Sequence, residues 1–123
     1  MNDPRMLPPS MRPKKRYIIF EIISESPVEF KDFSSMAWNS FLSTLGEAHA
    51  AEARIWIIPN LYDAKKQKGV IRCGNAYVED IRAALAMLSI VGESRAIIRV
   101  VGVTGTIKSA KEKYADPNLK QYA

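Results

Sequence analysis

Apolar positions along this chain of 123 residues follow two rhythms, one of period two and one of period about 3.6. Residues 16–25, Arg-Tyr-Ile-Ile-Phe-Glu-Ile-Ile-Ser-Glu, are rich in β-branched and aromatic types and predict a strand. Ser26-Pro27-Val28-Glu29 follows, placing Ser at an N-cap, Pro at N1 and Glu at N3. Phe30, Phe33, Ala37, Trp38, Phe41, Leu42 and Leu45 then recur at helical spacing, with Gly46 where a helix should end, so a helix is predicted over 27–45. Residues 53–62 predict a second strand, in which Pro59 lacks an N–H and points to a sheet edge. Asp63 to Gly69 reads as a basic hairpin loop and Val70 to Cys73 as a short third strand. Asn75 can cap a second helix whose buried stripe is Val78, Ile81, Leu85 and Leu88, and Gly92 closes that unit. Residues 95–103 predict a fourth strand, and Thr104-Gly105-Thr106 turns into a last helix over about 106–114.

The order βαββαβ plus a C-terminal helix predicts an α+β domain of the ferredoxin-like, RNA-recognition-motif-like class. Its four-stranded antiparallel sheet carries two helices on one face, and right-handed crossovers put strands one and three at the centre. The predicted organisation is a Pro-rich basic tail over 1–15, a domain over 16–115 and a second tail over 116–123.

Alternation along the strands assigns the two faces. Glu21 would be costly beneath helices, so Tyr17, Ile19, Glu21 and Ile23 are expected on the open face and Ile18, Phe20 and Ile22 in the core. The same reasoning places Arg54, Trp56, Ile58, Arg72, Arg99, Val101 and Val103 on the open face. Glu21, Arg72 and Arg99 are expected to form a cross-strand charge cluster, with three separately solvated charges as the plain alternative. Ile19, Ile23, Trp56, Ile58, Val101 and Val103 are too many apolar groups for a face left in water. A protein partner, or a further helix, is the expected cover. Strand three lacks the exposed aromatics that read single-stranded bases, so phosphate and shape contacts are favoured.

Charge sharpens this picture. Lys and Arg total 18 against 13 Asp and Glu, a net charge of +5, and the pI is near 9.4. That balance suits an acidic partner such as nucleic acid. Three basic groups stand out: Arg12, Lys14, Lys15 and Arg16; Lys65, Lys66 and Lys68; and Lys108, Lys111 and Lys113. Thr104-Gly105-Thr106, with Lys108 and Ser109 following, could present backbone N–H groups to an anion at a helix start, or Thr106 could simply cap that helix. The one cysteine, Cys73, reads as a small core residue, and the one histidine, His49, as a solvated loop residue. No Cys/His cluster has metal-ligand spacing, and no nucleophile elbow, P-loop or dinucleotide fingerprint is present. No catalytic residue and no metal site is therefore expected. The single thiol, with no apolar run of about 20 residues and no signal-like start, leads to the expectation of a cytoplasmic protein.

Several blocks then carry a resemblance. Ile71-Arg72-Cys73 with Val78-Glu79-Asp80-Ile81-Arg82-Ala83-Ala84-Leu85-Ala86-Met87, the stretch Ile98 to Lys111, and Arg12 to Ile18 resemble the protein component 2 family of archaeal ribonuclease P, over about residues 11–115. Residues 1–10 and the tail after Asp116 depart from the family pattern. The resemblance implies a protein subunit that binds and supports a catalytic RNA, which itself removes 5′ leaders from precursor tRNA using metal ions. It implies no cofactor on the protein, Mg²⁺ for the RNA, and only indirect contact with precursor tRNA. It also implies pairing with protein component 3, with two such pairs joined through component 2 into a heterotetramer. RNA contacts are then expected from Lys14, Lys15, Arg16, Lys65, Lys66, Lys68, Thr104, Gly105, Thr106, Lys108, Ser109 and Lys111. Rival readings are an RNA-binding module acting alone, a small-molecule sensor of the same fold, and an acylphosphatase-like enzyme. The last needs an anion-cradling loop with an Arg after strand one, where Ser24-Glu25-Ser26 stands here.

Overall fold

A computed structural model describes residues 14–91 and 94–115. Residues 1–13, Gly92 with Glu93, and the segment 116–123 lie outside the described residues; Arg12, the expected first tail up to residue 13 and the expected second tail fall there, whereas Lys15 of the expected first tail opens the first strand. In chain order the elements are β1 (Lys15–Ser24), α1 (Phe30–Glu52), β2 (Trp56–Ile57), β3 (Lys68–Gly74), α2 (Val78–Ala86), β4 (Ile90–Val91), β5 (Ser94–Thr104) and α3 (Ile107–Ala115). The strands form an antiparallel sheet in the order β2-β3-β1-β5-β4. The four expected strands are present, and β4 adds a two-residue hairpin partner at the edge. Strands one and three of the sequence reading, now β1 and β3, hold the inner positions.

The helix-facing side is the main core. Ile18, Phe20 and Ile22 of β1, Ile71 and Cys73 of β3 and Ala96 and Ile98 of β5 pack against Phe33, Ala37 and Phe41 of α1 and Ile81, Ala84 and Leu85 of α2. The fully buried rings of Phe20 and Phe33 stack with centroids 4.6 Å apart. Such a ring contributes about 2 kcal/mol by burial. Gly69 makes room for this stack: a Cβ there would lie 2.6 Å from Cζ of Phe20.

The opposite side holds a second, smaller core of Ile19, Ile58, Val70, Val101 and Ala110. Ala110 belongs to α3, so the chain's own last helix is the further cover that the apolar face required. Ile19, Ile58 and Val101 are thereby buried and do not offer themselves to a partner. Val103 corrects the face assignment. Ile19 pairs with Gly102 but Phe20 with Val100, so β5 carries one extra residue. This bulge reverses the alternation, and Val103 packs against the main core.

Other expectations shift. Asn75 opens a 3₁₀ turn over Asn75–Tyr77 and does not cap α2, whose N-cap is Tyr77, and His49 lies within α1. Helix α1 starts at Phe30 rather than 27, and Ser26 does not cap it. The N–H and C=O of Val28 are taken instead by Gln67 Oε1 (2.7 Å) and the Tyr62 hydroxyl (2.6 Å), which hold residue 28 outside the helix. Gly46 does break α1, at φ 80°, but the chain resumes helix through Glu52. The second strand shrinks to Trp56–Ile57, because Pro59 begins a 3₁₀ turn over Pro59–Leu61 and Arg54 sits in a turn at φ 51°.

Candidate nucleic-acid interface

The register of the central strand decides which basic residues meet. Lys15 and Arg16 of β1 lie opposite Gly74 and Cys73 of β3, and Tyr17 lies between Arg72 of β3 and Thr104 of β5. The start of β1, the end of β3 and the turn from β5 into α3 therefore share one end of the sheet. Arg16 Nη1 stands 3.5 Å from the point a Cβ on Gly105 would occupy, while donating to the Lys15 carbonyl at 3.0 Å. Lys14 and Lys15 precede Arg16 in the chain and Lys108 follows Gly105; all three are exposed, as is Lys111 further along α3. Lys14, Lys15 and Arg16 of the first basic group and Lys108 of the third, three residues beyond Gly105, thus share this end.

The turn itself is built from its threonines. Thr106 Oγ1 accepts the Ser109 N–H at 3.1 Å, the plain N-cap reading. Thr104 is buried, and its hydroxyl donates to the Thr106 carbonyl at 3.0 Å. Thr104 therefore shapes the turn and is too covered to meet RNA, and the Ser109 N–H is occupied. Gly105, Thr106 and Lys108 are the exposed members.

The second basic group lies elsewhere. Lys68 of β3 pairs with Glu21, six positions along β1 from Lys15, so about 20 Å separates the two ends. Lys65 and Lys66 are exposed at the tip, where Asp63 Oδ1 accepts both of their backbone N–H groups at 2.9 and 3.1 Å. Gln67, which sequence reasoning passed over, anchors this loop. Its side chain bonds the Ile22 carbonyl, the Ser24 hydroxyl and the Val28 N–H. Nothing in a polar loop sequence distinguishes such a glutamine from a solvated one.

Of the expected charge cluster, Glu21 and Arg99 meet and Arg72 stands apart. Glu21, 5% exposed, faces Arg99 of β5, with Oε1 3.9 Å from Nη1. Across the other edge of β1 its partner position is Lys68, not Arg72. Arg72 is four pairs further along and lies over the Trp56 ring, 4.9 Å from its centroid. Of the expected protein-interface residues, Ile23 and Trp56 remain exposed, and Ile97 opposite Ile23 extends the apolar surface beyond the reach of the second core.

Cys73 is buried as a core residue, and burial pushes its thiol up to about 11. His49 is exposed, with Nδ1 3.3 Å from the Leu45 carbonyl. Among the described residues, no group of three or more His, Cys, Asp or Glu could hold a metal ion, and no helix is long and apolar enough to cross a membrane.

Comparison with known proteins agrees with this architecture. A family model described as Rpp14/Pop5 family matches residues 16–115. A Pyrococcus furiosus protein named Ribonuclease P protein component 2 is 42% identical over 111 residues, covering 90% of this chain and 91% of its own. A Methanothermobacter thermautotrophicus protein of the same name is 32% identical over 120 residues, covering 94% and 97%. A chain in the cryo-EM structure of yeast ribonuclease MRP superposes with a TM-score of 0.57 at 10% identity, over 76% of this chain and 75% of that one, a likeness of fold. With the match running from β1 to the end of α3, this chain belongs to the Rpp14/Pop5 family.

Proposed function

We propose that this chain is a protein subunit of ribonuclease P, binding and supporting the RNA that removes 5′ leaders from precursor tRNA, and that it holds no catalytic group itself. The observation that carries this reading is the convergence of Lys14, Lys15, Arg16 and Lys108 at one end of the sheet. Folded RNA crowds phosphates together. Fixed cations relieve that repulsion and release condensed counterions, which drives association. The identity to archaeal proteins named Ribonuclease P protein component 2 points the same way.

The chain then acts on the RNA's fold and not on the scissile bond. Lys65 and Lys66 form a second, separate contact about 20 Å away, a spacing that braces two RNA segments. By supplying charge, the protein lowers the Mg²⁺ that the RNA requires. The exposed pair Ile23 and Ile97 supports contact with a further protein subunit, for which component 3, in a heterotetramer, is the expectation. The cytoplasm is the compartment this reading assigns.

Pull-down of the full chain from native extract, with sequencing of bound RNA, tests the proposal. Recovery of the catalytic RNA is expected. Recovery of unrelated RNAs favours a module acting alone, and tight, salt-insensitive binding of a metabolite with no RNA favours a sensor.

A further inference from the structure

Trp56 is 43% exposed on a two-residue edge strand, a costly place for an indole in water. The other tryptophan, Trp38, is half-buried and packs edge-on to Phe41. Two adjoining clefts meet beside Trp56. One is lined by Arg54, Ile55, Trp56 and Arg72; the other is lined by Lys14, Lys15, Arg54 and Arg72 together with one carboxylate, Glu52, whose Oε2 accepts the Tyr77 hydroxyl at 2.6 Å. Arg54 and Arg72 belong to both. Arg72 lies over one face of the indole and fixes its plane. Arg54 is held at φ 51°, a conformation glycine would adopt with less strain, by a turn that the Gly74 N–H anchors at 2.8 Å on the Ala53 carbonyl. Among the described residues no ion pair engages Lys14, Lys15, Arg54 or Arg72.

From this juxtaposition we infer that the cleft beside β2 is a binding site for an unpaired RNA nucleotide, its base stacked on Trp56 and its flanking phosphates held by Arg54, Lys14 and Lys15. The inference deepens the ribonuclease P reading and rests on it. An aromatic plane next to clustered cations is the arrangement that holds single-stranded nucleic acid, and stacking accepts any base because each has a π-face. Strand β3 carries no aromatic and Tyr17 of β1 is half-buried against the second core, but the edge strand supplies an exposed ring. A base seated here is extrahelical, so the site favours a bulge or loop of the RNA over a continuous duplex.

The test measures affinity of the full chain for ribonuclease P RNA across a salt titration, and tryptophan emission of a W38F protein titrated with a ten-residue oligoadenylate. W56A should weaken RNA binding roughly 5- to 100-fold without changing the salt slope, W56F should restore most of the loss, and the oligoadenylate should quench Trp56. R54G should lower the salt slope by about one with no fall in melting temperature. W56A binding as wild type does, W56F as weak as W56A in a folded protein, or no quenching would overturn the site. A W56A protein that keeps its RNA affinity but no longer assembles with other protein subunits would overturn it too, assigning the ring to a protein contact. Absence of any binding by the wild-type chain overturns both this site and the ribonuclease P reading, whereas wild-type binding with W56A unchanged sinks the site alone.

Discussion

Gln67 Oε1 accepts the backbone N–H of Val28 at 2.7 Å, while Nε2 of the same side chain donates to the Ile22 carbonyl at 2.8 Å. One side chain thus ties the lysine-bearing hairpin to the end of β1 and to the segment leading into α1. Gln67→Ala leaves those backbone groups without this partner, at a cost of about 1–3 kcal/mol. Urea unfolding should register that loss, and amide exchange at Lys65 and Lys66 should accelerate. A loss under about 0.5 kcal/mol, within the range of an ordinary surface substitution, would mean that water replaces the clamp.

Glu21 is the buried charged side chain among the described residues of the sheet, with Arg99 3.9 Å away on β5 and Lys68 opposite it on β3. Removing the carboxylate leaves cations facing one another across a central strand. Glu21→Ala should destabilise the fold by roughly 1–3 kcal/mol, between the values for an exposed pair and for a fully buried one, because Arg99 is partly exposed. The double variant with Arg99→Ala should recover part of that loss. Strict additivity in a double-mutant cycle would show that the two side chains do not interact.

Gly69 sits against the Phe20 ring, with no room for a Cβ at 2.6 Å from Cζ. Gly69→Ala should therefore push Phe20 off Phe33 and cost about 1–3 kcal/mol as an overpacked core. Adding Phe20→Leu to the Gly69→Ala variant should relieve the clash. If Gly69→Ala unfolds at the wild-type urea midpoint, the ring has room to move.

Cys73 gives a signed pH dependence. Its thiol goes from an ordinary value of 9.0 to about 11 because burial disfavours the thiolate. The folded state therefore holds this proton more tightly than the unfolded state, and its contribution is intact below pH about 9. It is lost as pH rises toward about 11. Tyr62, also raised by burial, acts in the same sense. Stability should fall over this window, and Cys73→Ala should flatten part of the fall. At pH 8 the native thiol should resist alkylation while the denatured thiol reacts at once. Rapid native-state alkylation would contradict the burial.

How far the sequence carries depends on the range of the interaction. The alternation Ile18, Phe20, Ile22 and the helical recurrence of Phe33, Ala37 and Phe41 are local, and they name the main core correctly. Val103 fails because a bulge between paired strands is invisible to alternation in one of them. Arg72 fails as a partner of Glu21 because register is set by the whole pairing of β1 with β3, which a single strand does not encode. Ser26 is a good cap by local rules, yet the distant Gln67 and Tyr62 claim Val28 and delay the helix. At the candidate site, the three basic groups are plain in the sequence, but their division into a converged end and a separate hairpin follows only from strand order. The pairing of Trp56 with Arg72 likewise depends on β2 meeting β3 in one register.

The claim on which the rest depends is that clustered cations at one end of the sheet bind the RNA. It is tested most directly by the salt dependence of affinity between the purified chain and ribonuclease P RNA, for wild type and for the Lys14→Ala, Lys15→Ala, Arg16→Ala triple variant. The predicted result is tight binding at low salt, with a log–log slope that falls by roughly two to three in the variant. A wild-type chain without affinity at low ionic strength, or a variant with the wild-type slope, would contradict the account.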